Sequence, residues 1–272
     1  MRKKFARTGA VGLICLLQAA CNTVDFGAIK PTLSDGGASP ETSRLLQLAS
    51  DVEAHGDYET AAALYTRAAE TSGNAAEAQL RLGNAHLKAA NYPAARAAFT
   101  KVLETDSANA EALFGLGTAQ LKSGEIDNSV RTLTTASPLV NTSSAYSRLG
   151  TALIMAGRSD EAMDAFERAQ SLAPNDLDVT ANMAFAQVLV GRTDAAVAAM
   201  QKVVESPLAQ PRHRANLLMM LAIAGRVDEA RAMNVSDLSP AQKRDLLMRA
   251  RKVRAATSPL AKARAIGLLR AA

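Results

Sequence analysis

Residues 82–99 read Leu82-Gly83-Asn84-Ala85-His86-Leu87-Lys88-Ala89-Ala90-Asn91-Tyr92-Pro93-Ala94-Ala95-Arg96-Ala97-Ala98-Phe99, and two parts of this stretch return along the chain. The Leu-Gly pair recurs at Leu116-Gly117 and Leu149-Gly150, 34 and then 33 residues further on. The second part, Asn91-Tyr92 before Ala95 and Phe99, has an earlier copy in Gly56-Asp57-Tyr58 before Ala61 and Tyr65. Its later punctuation is Gly124, Gly157, Gly191 and Gly225. Several coordinated positions returning in step are the mark of a repeated structural unit. Units are expected to begin near Thr42, Ala76, Ala110, Ser143, Leu177 and Pro211, five complete and a sixth truncated.

A 34-residue period is that of the tetratricopeptide repeat (TPR), a helix-turn-helix unit that buries its apolar face only by stacking on its neighbours. The residue types suit that reading. Leu-Gly on helix A marks a close crossing, a Gly or Asn permits the tight turn, and helix B presents Ala162, Phe166 and Ala169. Small residues admit the neighbouring helix, and the aromatic fills the remaining gap. Pro174 then stops the unit, because proline cannot continue a helix.

Composition agrees. The apolar content is mainly Ala and Leu, with four Tyr, six Phe and no Trp. Ala and Leu lose little side-chain freedom in a helix, and no segment shows the period-two alternation of a strand. The expected fold is therefore all-α: a right-handed α-solenoid of TPR units over residues 42–234, with basic capping helices and a tail over 235–272. In the third unit, helix B carries Asp127, Asn128, Ser129, Thr132, Thr134 and Thr135, residues of poor helix propensity, so that unit is expected to be the least rigid. In the sixth, Asn234 stands where helix B should place its aromatic, and Ser239-Pro240 begins a new helix.

Residues 1–21 read as an export signal: Arg2, Lys3, Lys4 and Arg7 precede the apolar run from Ala10 to Leu17. The run is shorter than the roughly 20 residues a spanning helix needs. Gln18-Ala19-Ala20-Cys21 resembles a bacterial lipobox, with Gln18 where that motif usually has Leu. The resemblance implies lipidation at Cys21, and Asn22, rather than Asp, implies the periplasmic face of the outer membrane. Cys15 and Cys21 are the only cysteines, so a mature chain beginning at an acylated Cys21 would hold no free thiol, which suits an oxidising compartment. The alternative is an ordinary signal peptide and a soluble periplasmic protein. Residues 22–41 hold Gly27, Pro31, Gly36, Gly37, Ser39 and Pro40, and read as a flexible tether with a reach of roughly 25 Å.

The chain's charge is uneven. Residues 22–210 carry fourteen Lys and Arg against twenty-two Asp and Glu, and residues 211–272 carry thirteen against four. The basic end, with Arg249, Arg251, Lys252, Arg254, Lys262 and Arg264, suits an anionic lipid surface, an acidic partner, or a plain solvated cap. Nucleic acid is an unsuitable partner for an exported chain.

Chemistry-bearing patterns are missing. His55, His86 and His213 lack metal-ligand spacing, no Gly-rich phosphate loop occurs, and no Ser or Cys sits in a nucleophile setting. Glu53, Asp57, Asp160 and Glu161 fall at turns and helix starts, where carboxylates favour the helix dipole. The expectation is a protein with no catalytic residues, metal, cofactor or small-molecule substrate. What remains is the concave face, lined by Leu80, Leu87, Phe114, Leu121, Ile154, Met155, Phe185, Val188, Leu189 and Met219 of successive A helices. So apolar a strip suits a helical or extended partner segment, or the chain's own tail; the partner site is the expectation, centred on Phe114, Leu121, Phe185 and Val188. Asn84, with Lys88 and Lys122, forms only part of the basic clamp that holds a peptide carboxylate in TPR co-chaperones.

The combined layout resembles the TadD family, TPR lipoproteins of tight-adherence (Flp) pilus secretion systems. The resemblance is carried by Arg214-Ala215-Asn216-Leu217-Leu218, by Ala224-Gly225-Arg226 with Glu229-Ala230, and by Asp237-Leu238-Ser239-Pro240, with Met219-Met220 where the family tends to have Leu and Ala. It implies a pilotin-like adaptor that helps an outer-membrane secretin assemble. A different class, a TPR accessory lipoprotein that recruits or regulates a peptidoglycan enzyme, suits the same features.

Overall fold

A computed structural model describes residues 39–73 and 75–266. The expected export signal, Cys21 and most of the expected tether lie outside the described residues. Within them the chain forms fourteen α-helices and no strand. The first ten pair off in order: α1 (Pro40–Ala54) with α2 (Tyr58–Thr71), α3 (Ala76–Lys88) with α4 (Tyr92–Thr105), and α5 (Ala110–Ser123) with α6 (Ile126–Val140). Then α7 (Ser143–Met155) pairs with α8 (Ser159–Leu172), and α9 (Leu177–Leu189) with α10 (Thr193–Glu205). A sixth pair joins α11 (Pro211–Ile223) to a short α12 (Val227–Ala232), after which come α13 (Pro240–Ala255) and α14 (Pro259–Ile266). Successive helices pack on one another along the array, so the architecture is an all-α solenoid.

Glycine in helix A decides how closely a pair can approach. A Cβ built on Gly83 of α3 would lie 2.7 Å from the Phe99 ring of α4, and one on Gly115 of α5 would overlap that same ring. Phe99 is fully buried between the two A helices. In the fourth pair Phe166 lies over Gly150, and in the third Leu133 replaces the aromatic over Gly117.

The turn from helix A to helix B uses one left-handed residue per unit: Gly56, Ala90, Gly124, Gly157, Gly191 and Gly225. Ala90 alone carries a side chain there, at φ 58°. Asn91, expected to permit this turn, does something else: its side chain caps α4 by accepting the Ala94 N–H. Similar caps start α1 from Ser39, α2 from Asp57, α5 from Asn109 and α7 from Thr142. At Ser239 the cap is reciprocal, because Ser239 Oγ accepts the Gln242 N–H and the Gln242 side chain accepts the Ser239 N–H.

The third unit is better tied than its helix propensities imply. Ser129 Oγ donates to the Gly117 carbonyl across the α5–α6 contact at 2.8 Å, and Ser137 Oγ donates to the Ala145 carbonyl of α7 at 3.2 Å, both buried. The serine hydroxyls turn apparent defects into links with both neighbours.

Two substitutions with opposite expected signs test this geometry. Gly115→Ala gains helix propensity of about 1 kcal/mol but pushes a methyl into a ring with no room to retreat, so a net loss of about 1–2 kcal/mol is expected. Ala90→Gly removes the left-handed strain and should stabilise by about 0.5 kcal/mol after the entropy cost of glycine. Urea unfolding followed by circular dichroism reads both.

Candidate protein-interaction surface

The A helices α1, α3, α5, α7, α9 and α11 form one side of the array, and its two halves differ. Over the later units the apolar strip is covered. Helix α14 turns back from α13 and packs against α7 and α9, with no comparable contact to any B helix, which puts it on the concave side. Its Ala263 and Ile266 belong to the same continuous apolar core as Phe114, Leu121, Ile154, Phe185, Val188, Leu189 and Met219.

The expected open partner strip is therefore corrected. Phe185, Val188 and Leu189 are 1% exposed, Met219 is fully buried, and Phe114, Leu121, Ile154 and Leu87 are buried as well. Their size is required by core contact with the chain's own C-terminal helix and neighbouring helices. Phe114 is also covered by the buried Arg148 guanidinium, 5.3 Å from the ring centroid. Of the expected groove residues, Leu80, Asn84 and Met155 keep partial exposure.

Over the first three units the lining is polar and interlocked. Lys88 Nζ meets Glu53 at 2.7 Å and lies over the Tyr58 ring, while the Tyr65 hydroxyl donates to the other Glu53 oxygen at 2.9 Å. Burial beside that carboxylate pushes the Tyr65 phenol up to about 12. Asn84 Nδ2 donates to Glu111 at 3.2 Å, and burial raises the Glu111 carboxyl above its usual range. Lys88 and Asn84 are thus engaged with carboxylates of the chain itself. Leu80 lies beside this network, half-buried against the core around Phe99.

A further cluster joins the fifth and sixth units. Arg212 at the start of α11 holds Asp178 of α9 through Nε at 3.1 Å and Nη2 at 2.7 Å. The buried His213 adds Nε2 to Asp178 at 2.9 Å, while its Nδ1 accepts the Gln210 backbone N–H. Nδ1 therefore carries no proton and Nε2–H is the donor. The His213 hydrogen bond, followed by Arg212, holds the Asp178 carboxyl down at about 2. Both histidine nitrogens serve structure. The sequence signal for this clamp was available, since Asp178 and Arg212 stand 34 residues apart at the same repeat position. Among the described residues no group of three His, Cys, Asp or Glu side chains is placed to hold a metal ion.

Family models described as tetratricopeptide repeat match residues 46–89, 80–138 and 153–222. The chain belongs to the tetratricopeptide repeat superfamily. Solved TPR structures share the fold. A thermophilic TPR protein from Thermus thermophilus is 19% identical, with a TM-score of 0.55 over 66% of this chain and 98% of its own. MamA from Desulfovibrio magneticus RS-1 is 20% identical, TM-score 0.57, covering 62% of this chain and 96% of that one. PilF from Pseudomonas aeruginosa is 19% identical, TM-score 0.59, covering 71% and 88%. Identities this low speak for the fold alone. No curated protein matches the chain in sequence. TPR arrays are typically non-enzymatic and mediate protein–protein interaction.

Two measurements follow from this TPR surface. Phe185→Ala should act on folding, with a loss of about 3–5 kcal/mol in urea unfolding, as for any fully buried phenylalanine. Asp178→Asn should cost about 2 kcal/mol near neutral pH, the scale of a charged hydrogen-bonded contact. Because the folded pKa of Asp178 lies below its unfolded value, its contribution is complete above roughly pH 5 and fades as pH falls toward 2. The stability gap between wild type and variant, measured by unfolding at successive pH values, should close over that interval.

Proposed function

We propose that this protein is a non-enzymatic TPR adaptor lipoprotein of the cell envelope, anchored through Cys21 at the periplasmic face of the outer membrane. On this reading it assists assembly of the outer-membrane secretin of a tight-adherence (Flp) pilus. The observation that carries the reading is the combination of an interaction fold with a particular ending. Arg214–Leu218 lies in α11, Gly225-Arg226 forms the turn into α12, and Asp237–Pro240 leads into the capping helix, the three segments on which the TadD resemblance rests. The leader ending in Ala19-Ala20-Cys21 supports the envelope location.

The partner surface fits the first three units, where Leu80 and Asn84 of α3 keep partial exposure and α14 makes its main contacts further along, on α7 and α9. A secretin segment bound there would set an apolar side chain against Leu80 and polar groups against Asn84 and Glu111.

Capture from a detergent-solubilised envelope extract, with mass spectrometry of the retained proteins, tests the reading. A retained secretin supports it; a retained peptidoglycan synthase or hydrolase, without secretin, replaces it with an accessory role in wall metabolism. Leu80→Asp should reduce secretin retention roughly tenfold, or about 1.4 kcal/mol. Cys21→Ser should abolish palmitate labelling and release the protein from the outer-membrane fraction. A wild type that is unlabelled and soluble in periplasm overturns the lipoprotein assignment.

A further inference from the structure

Between Lys243 and Arg264 the chain carries eight Lys and Arg and one acid, Asp245. Two of the cations have fixed work. Arg249 pairs with Asp245 at 2.8 Å, and Lys243 closes the C-terminal end of α12 by donating to the Arg231 and Met233 carbonyls. The other six, Arg244, Arg251, Lys252, Arg254, Lys262 and Arg264, make no ion pair among the described residues.

Helix α13 buries Leu246, Ala250 and Val253. Its outer face shows Arg244, Met248, Arg251 and Lys252, spaced i, i+4, i+7 and i+8, so they share one side of the helix over about 12 Å. Met248 is 59% exposed, a large apolar side chain left in water amid three unpaired cations. An ordinary solvated cap has no need of that arrangement.

We propose that this face of α13 lies against an anionic phospholipid surface, with Arg244, Arg251 and Lys252 on lipid phosphates and Met248 entering the headgroup layer. A convex helix face has no groove to select a peptide backbone, whereas a charged surface needs only unpaired cations and benefits from an apolar side chain among them. The uneven charge of the chain gives the contact a direction. An anionic surface attracts the basic cap and repels the acidic body, so the array stands with its C-terminal end toward the lipid. This contact is separate from the anchor at Cys21 and from the partner surface on the first three units.

The chain has no tryptophan, so a single one reports its own surroundings. Met248→Trp is introduced into the full chain carrying Cys21→Ser, which excludes acylation. Vesicles of phosphatidylglycerol and phosphatidylcholine are expected to shift its emission to the blue, reversibly with added salt, while pure phosphatidylcholine vesicles leave it unchanged. A control probe, Leu139→Trp at the exposed end of α6, should not shift. Adding Arg244→Glu, Arg251→Glu and Lys252→Glu to the Met248→Trp chain should weaken anionic-vesicle affinity about 100-fold, with the helical circular dichroism retained. The proposal is overturned by a silent probe at position 248 in low salt, by an equal shift at position 139, or by full affinity in the charge-reversed chain. It is also overturned if poly-glutamate shifts the probe and vesicles do not, which makes the face a site for an acidic protein.

Discussion

The structure depends on a ring resting on bare backbone. Phe99 fills the space between Gly83 and Gly115, so one side chain sets the separation of α4 from two consecutive A helices. Glycine within a helix costs about 1 kcal/mol relative to alanine. The array tolerates that cost because the missing methyl is the volume the ring occupies, and burying a phenylalanine contributes more than the glycine loses. Phe166 over Gly150 and Leu133 over Gly117 repeat the contact with rings and branches of different size. The other features of a unit, its αL turn and its capped helix start, keep this one contact in register from one pair to the next.

That dependence explains what was legible in the sequence. A close crossing needs a small residue on one helix and a bulky one on the other, so these residue types return along the array; the period was visible and the all-α solenoid followed from it. Detail inside the repeat was less readable. Ala90 adopts the backbone that glycine adopts elsewhere because the surrounding turn over-determines it, and nothing in an alanine announces a positive φ. Ser129 reads as a residue of poor helix propensity, yet its hydroxyl found the Gly117 carbonyl, a partner on another helix.

The concave strip was misread for a different reason. Repeat position tells which side of the array a residue faces, and it says nothing of what covers that side. The described part of helix α14 holds eight residues and contributes little more than Ala263 and Ile266 to the core, too short a pattern to reveal its docking place. Its effect is nonetheless to divide the protein. The first three units present a polar, cross-linked face around Glu53, Asn84 and Glu111, while the later ones are sealed, with Arg148 and Phe114 buried near the boundary. The polar face of the first units and the cation-rich cap thus lie at opposite ends of the array.

The return of α14 onto α7 and α9 also changes how the rod carries load. A plain solenoid touches only its neighbours and can be unstacked from either end. Here the last helix clasps units laid down far earlier in the chain, and from Phe114 onward the apolar core is continuous, whereas the first units rest on smaller separate clusters. Tension applied at the N-terminal end of the array would peel α1 and α2 away first and then meet the clasped half, which must yield as a whole. The array is built like a strap with a buckle at its far end, extensible over its first units and rigid beyond them.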